Sequence, residues 1–300
     1  MKETRKQKTE EPKVEGSFTK KVLAFVKEFA IVFGAFLVLN NFVVASFLVP
    51  TGSMENEVMT GDLLFVNKFI YGGTSPRNIP FTNVRLPWFR VPGFRDVERG
   101  DVIVFVFPGY RDEVASEDFT FYLKRCVALP GDTLQVIDRV LYVNGKLAPL
   151  PRNMKFSYRR NFGPAVDDRI FPKGIPWTEE NYGPIVIPKK GMTVHLNRQT
   201  IDAWETFIRR EGHSVGVQGN TILVDGKEST DYTVQRDYLF GMGDHRDNSL
   251  DSRYWGFIPK ENLVGTPMIV YWSWDTEIPL YSIFAKLGSV RLGRIGTVIK

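Results

Sequence analysis

Residues 29–49 read FAIVFGAFLVLNNFVVASFLV, 21 positions without a charge, and residues 50–54 read PTGSM. At about 1.5 Å of rise per residue, a helix of that length is roughly 30 Å long, the thickness of a bilayer's hydrocarbon core. Asn40 and Asn41 are its only strongly polar interruptions. The run is apolar on every face, unlike a soluble amphipathic helix, so residues 29–49 read as one transmembrane signal anchor. Eight basic residues precede it (Lys2, Arg5, Lys6, Lys8, Lys13, Lys20, Lys21 and Lys27), and none follows until Lys68. The positive-inside rule therefore leaves residues 1–28 in the cytoplasm as a basic tail and sends the chain after Pro50 to the trans side. A cleaved secretory signal, with Val43 and Ala45 at the −3 and −1 positions, competes with this reading. Such a signal has an apolar region of about 7–15 residues, and this one continues past the site.

Beyond Pro50 the chain is β-like. Short apolar runs (DLLFVNKFI, DVIVFVF, FYLKRCVAL, PMIVYW) alternate with Gly, Pro and Asp. RVLYVNGKLA and TILVDGKEST each place an Asn-Gly or Asp-Gly pair between apolar alternations, which predicts two hairpins at Asn144-Gly145 and Asp225-Gly226. Ile201–Arg210 sets Ile201, Trp204, Phe207 and Ile208 on one helical face. The C-terminal stretch from Ile278 mixes apolar residues with Lys286, Arg291 and Arg294. Gly288, Gly293 and Gly296 break it, which argues against a second span.

Composition removes several function classes. The net charge is +5 with the basic residues scattered, so no nucleic-acid stripe is expected. A single cysteine, Cys126, excludes an intrachain disulfide and leaves the redox compartment open. His195, His213 and His245 lack metal-ligand spacing, so no metal site and no cofactor are expected.

Three segments carry candidate chemistry. Ser53 follows Thr51-Gly52 just beyond the apolar run, without a GxSxG elbow or a histidine placed as its base. Lys124, in Tyr122-Leu123-Lys124-Arg125-Cys126-Val127-Ala128, shares a strand face with Tyr122, Cys126 and Ala128. An edge-strand lysine snorkelling to water would explain that placement. So would a buried one, whose desolvation lowers its proton affinity and makes it a base for a serine hydroxyl. The third segment, Gly243-Asp244-His245-Arg246-Asp247-Asn248-Ser249-Leu250-Asp251-Ser252-Arg253, is either a solvated loop or a folded hydrogen-bond network supporting a catalytic pair.

Together with Gly100-Asp101…Phe105, the order of these segments resembles the bacterial type I signal peptidases, membrane-anchored Ser/Lys proteases. The likeness covers the anchor, 50–69, 100–132 and 238–268. The resemblance implies Ser53 as nucleophile and Lys124 as general base. It implies an oxyanion site from the Ser53 N–H and the Thr51 hydroxyl, and Ser249 orienting the lysine. It further implies a supporting Asp251–Arg253 pair, Gly243 as a tight backbone position, and Tyr122 and Met54 at the substrate pockets. The implied fold is mostly β: an antiparallel β-rich catalytic core (50–132 and 236–275) with an inserted second β-containing domain (133–235). One N-terminal transmembrane helix precedes it, and 276–300 forms a C-terminal segment. The implied partners are secretory preproteins with small residues at −1 and −3, the lipid bilayer and the export machinery, at a bacterial inner membrane. Thr51, Ala128, His245 and the Asn56-Glu57 pair depart from the family pattern without removing a catalytic group. A Ser/Lys peptidase for a specialised substrate such as a pilin, a soluble self-cleaving SOS-repressor relative and an inactive anchored module are the alternatives. The mixed aromatic and arginine run Phe81–Phe94 is expected to seat the catalytic domain in the outer leaflet.

Overall fold

A computed structural model of the chain describes residues 15–79, 82, 84–157 and 167–300. Residues 1–14 of the basic tail, and Phe81 and Asn83 of the aromatic run, lie outside the described residues. The chain forms two compact units that divide between Asn40 and Asn41.

In the first unit, α1 spans Glu15–Val38 and passes into a π-helical turn, Leu39–Val43, at the Asn40-Asn41 pair. Phe25, Phe29 and Phe33 follow at helical spacing, with ring centroids 6.5 and 5.8 Å apart. Lys20–Val43 is long and apolar enough to cross a membrane by length and composition. The expected frame of 29–49 is thus corrected: the helical stretch begins earlier and stops at Val43. Val44–Leu48, the end of the apolar run, is instead a strand. Hydrophobicity alone does not separate the end of a span from a buried strand. Here alternating burial, with Ala45 and Val49 inside, marks the switch.

All strands lie in the second unit. They are β1 Val44–Leu48, β2 Asp62–Asn67, β3 Val102–Val106, β4 Phe121–Ala128, β5 Thr133–Ile137, β6 Val140–Val143, β7 Lys146–Leu147 and β8 Tyr182–Val186. There follow β9 Thr193–His195, β10 Val215–Gln218, β11 Thr221–Val224, β12 Lys227–Glu228, β13 Asp231–Thr233, β14 Tyr238–Met242, β15 Ile258–Pro259 and β16 Leu263–Ser273. An antiparallel seven-stranded sheet has the order β1-β2-β16-β3-β4-β14-β15. The other strands form three small sheets, β7-β6-β5-β8, β10-β11-β12 and β13-β9, all drawn from 133–235. The two expected hairpins form: Asn144-Gly145 joins β6 to β7 with φ 54° and 72°, and Asp225-Gly226 joins β11 to β12 with φ 52° and 74°. Positive φ at both central residues matches the right-handed strand twist. α2 spans Ile201–Arg210 and buries Ile201, Phe207 and Ile208.

The large sheet is buried on both faces. β3, with sequence VIVFV, sends Ile103 and Phe105 into a core shared with 133–235. Its Val102, Val104 and Val106 enter a second core with Met54, Val58 and Leu64. The C-terminal segment carries a short helix, Ile283–Gly288, and then returns to the sheet. The Val270 N–H donates to the Thr297 carbonyl (2.9 Å), the Ile299 N–H donates to that of Met268 (3.0 Å), and Ile299 closes the second core.

Candidate active site

The β1–β2 hairpin is closed by the loop 49–61, where the Glu55 N–H donates to the Gly52 carbonyl and the Val58 N–H to that of Met54. This helical turn buries Met54 and leaves Ser53, 8% exposed, at its start. β4 brings Lys124 to the same place, 4% exposed. Lys124 Nζ lies 2.7 Å from Ser53 Oγ and also donates to the Leu123 carbonyl at 3.1 Å. Burial pulls the ammonium down to about 8, against the opposing charge of Asp251. Lys124 Nζ is 5.6 Å from the Tyr122 ring centroid, and that ring stacks on Phe107 at 4.2 Å.

A cleft of about 650 Å³ opens over the pair, lined by Phe47, Pro50, Thr51, Met54, Tyr122 and Ser249 among others. Thr51 is exposed on its wall. The Ser53 N–H donates to no group among the described residues. β4 pairs with β3 along Phe121–Arg125, whereas β14 reaches only Arg125, Cys126 and Ala128. One edge of Phe121–Lys124 is therefore open towards the cleft.

The 243–253 segment folds into a network. Asp251 caps the short helix α3, Ser252–Trp255, by accepting from the Arg253 N–H. It also forms a two-pronged pair with the Arg253 guanidinium (2.8 and 2.9 Å) and accepts from the Gly243 N–H (3.1 Å). Burial pushes the Asp251 carboxyl up, but the Arg253 charge and these hydrogen bonds outweigh it and leave it below the usual carboxylate range. A β-carbon on Gly243 would lie 2.3 Å from Ser249 Oγ and 2.5 Å from the Ser53 carbonyl oxygen, so only glycine fits. One expected contact is corrected. Ser249 lines the cleft, but its hydroxyl is buried without a partner among the described residues and does not bond Lys124. The lysine spends its contacts on Ser53 and its own strand.

Several supporting residues escaped the sequence reading. Arg125 forms a buried pair with Asp244 (2.6 Å) and donates to the Gly100 carbonyl (2.6 Å). His245 braces the Ser53 loop from behind. Its N–H donates to the Ser53 carbonyl (3.1 Å), and its ring meets Glu55 (3.1 Å) and Ser157. Lys155, from the 133–235 stretch, bonds Glu55 at 3.0 Å and holds that carboxyl below its ordinary range. A signal did exist. Four Gly-Asp pairs occur in the chain, and each aspartate takes an arginine: Asp62 with Arg294, Asp101 with Arg95, Asp132 with Arg99, Asp244 with Arg125.

The profile of the family described as signal peptidase, peptidase S26, matches residues 22–272. Signal peptidase I of Pseudomonas aeruginosa is 29% identical over 285 residues, covering 90% of this chain and 79% of its own length. That of Helicobacter pylori is 28% identical, covering 85% and 84%. That of Rickettsia bellii is 29% identical, covering 90% and 83%. The chain therefore belongs to the signal peptidase family, peptidase S26, and is an enzyme of that family.

Proposed function

We propose that this enzyme removes N-terminal signal peptides from exported preproteins by a Ser53–Lys124 acyl-transfer mechanism. The observation that carries the reading is the 2.7 Å contact between two buried groups, Lys124 Nζ and Ser53 Oγ, beneath a cleft of about 650 Å³. Neutral Lys124 takes the hydroxyl proton as Ser53 Oγ attacks the scissile carbonyl, then returns it to the leaving amine. The same lysine activates the water that releases the acyl-enzyme. The unclaimed Ser53 N–H and the Thr51 hydroxyl meet the oxyanion. The open edge of Phe121–Lys124 receives the substrate as an added strand, with small residues at −1 and −3 against Tyr122 and Met54.

The Lys20–Val43 helix serves as a single-pass anchor in a bacterial inner membrane. The basic residues before it hold the N-terminus in the cytoplasm and put the catalytic unit on the trans side. The decisive experiment incubates purified protein with a preprotein beside Ser53→Ala and Lys124→Ala. Cleavage by the wild type alone is expected, and an uncut preprotein or an active variant would refute the assignment.

A further inference from the structure

Away from the hydrolytic cleft, a second cavity of about 290 Å³ is lined by Arg77, Arg85, Arg210 and Arg236, with Trp88 and Asn262. Among the described residues, no aspartate or glutamate lines it. Arg77 is buried and Arg210 partly so, whereas Arg85 is exposed and Arg236 half-buried. A buried guanidinium normally meets a carboxylate, because an unpaired charge out of water is costly. Here most of the partners are backbone carbonyls. Arg77 donates to Glu261 (2.8 Å) and Leu263 (3.2 Å), and Arg85 to Ser116 (3.0 Å). Arg210 donates to Glu113 (2.9 Å), Gly109 (3.0 Å) and Trp255 (3.2 Å). Only Arg236 reaches carboxylates, those of Glu261 and, at 3.6 Å, Glu211.

Arg77 Nε is buried without an acceptor among the described residues, and Arg77 itself is 8% exposed. Burial and the neighbouring Arg90 pull Arg77 down to about 9, and burial pulls Arg210 down to about 10 against the charges of Tyr238, Glu113 and Asp112. The Arg77 guanidinium is held in place by stacking 4.0 Å from the Trp88 ring centroid.

We propose that this cavity is a binding site for a phosphate-bearing anion. A tetrahedral group with several oxygens and up to two charges matches forked donors arriving from separate chain segments, and guanidinium groups bind it through paired hydrogen bonds. The ligand chemistry has two sources, free phosphate esters and the headgroup of an anionic phospholipid. The exposed Phe89 and Phe94, close in sequence to Trp88, favour neither alone.

The test uses the full chain in a neutral detergent. It is titrated calorimetrically with inorganic phosphate, with short-chain phosphatidylglycerol and with phosphatidylcholine. Wild type is expected to bind one or both of the first two saturably, and Arg85→Gln and Arg236→Gln to weaken binding about tenfold or more with peptidase activity retained. Binding of inorganic phosphate alone assigns a soluble source, and binding of phosphatidylglycerol alone assigns a lipid. A readout needing no variant is modification by phenylglyoxal, in which ligand should protect Arg85 in the wild type. No saturable binding of either anion, or equal binding by the Arg85→Gln/Arg236→Gln double variant, overturns the proposal.

Discussion

Arg125 and Asp244 form a buried ion pair directly beside Lys124 in the chain, with guanidinium nitrogens 2.6 and 2.8 Å from the two carboxylate oxygens. The pair ties β4, which carries the lysine, to the segment that follows β14. Removing one partner leaves the other buried without its counter-charge. Arg125→Met or Asp244→Asn is expected to cost about 3–5 kcal/mol in chemical denaturation and to lower activity with it. The double variant Arg125→Met/Asp244→Leu should recover much of the stability, since no charge is then stranded.

Activity should follow the neutral fraction of Lys124, whose ammonium burial pulls down to about 8. Plots of kcat/KM against pH should therefore rise through about 8 and fall roughly tenfold per unit below it. A profile flat from pH 6 to 9 would contradict a lysine base.

The same burial has a folding cost with a defined sign. Lys124 loses its proton near 8 when folded but near 10.5 when unfolded, so the unfolded chain binds the proton more tightly. Its contribution is least favourable below about 8 and is relieved as pH rises towards 10.5. Lys124→Met should be inactive yet about 3 kcal/mol more stable than wild type at pH 7. That margin should shrink at pH 10, as followed by urea denaturation at both values.

Gly243→Ala should reduce kcat at least a hundredfold while leaving substrate affinity closer to normal, because the new methyl displaces the Ser53 carbonyl and so the nucleophile. Adding Ser249→Ala removes the hydroxyl 2.3 Å away but leaves the residue-249 β-carbon and the Ser53 carbonyl oxygen, each at 2.5 Å, so the double variant should remain impaired. Recovery of full activity would show that Gly243 serves only to make room for the Ser249 hydroxyl.

Trp88, Phe89 and Phe94 are all exposed, Phe94 the most at 78%. Replacing the three with serine should weaken sedimentation of a fragment lacking the N-terminal helix with liposomes. Unchanged binding would assign the aromatic run a purely local role.

The sequence made the two proposed catalytic side chains legible because each lies in a segment of unusual chemistry: Ser53 abutting an apolar run, Lys124 on an apolar strand face. The hairpins at Asn144 and Asp225 and the helix at Ile201–Arg210 were equally readable, since turn residues and helical periodicity are local signals. The helix-to-strand switch at Val43–Val44 was not. Apolar residues serve a span and a buried strand alike, and only the pairing of β1 with β2 separates them. The Arg125–Asp244 pair also stayed hidden, because its partners are 119 positions apart and strand alternation says nothing about who sits opposite. Ser249 failed in the other direction: its position in the motif was clear, yet its hydroxyl meets no partner.

No linker residue separates the π-helical turn ending at Val43 from β1, and only ten residues lead from Val43 to Ser53. Fully stretched, ten residues reach about 35 Å, and the pairing of the five β1 residues with β2 fixes about half of that length in place. On the proposed anchoring the nucleophile works on a short tether. Such a tether would act as a ruler, restricting cleavage to bonds presented near the lipid surface and sparing the rest of an exported chain once it has moved away.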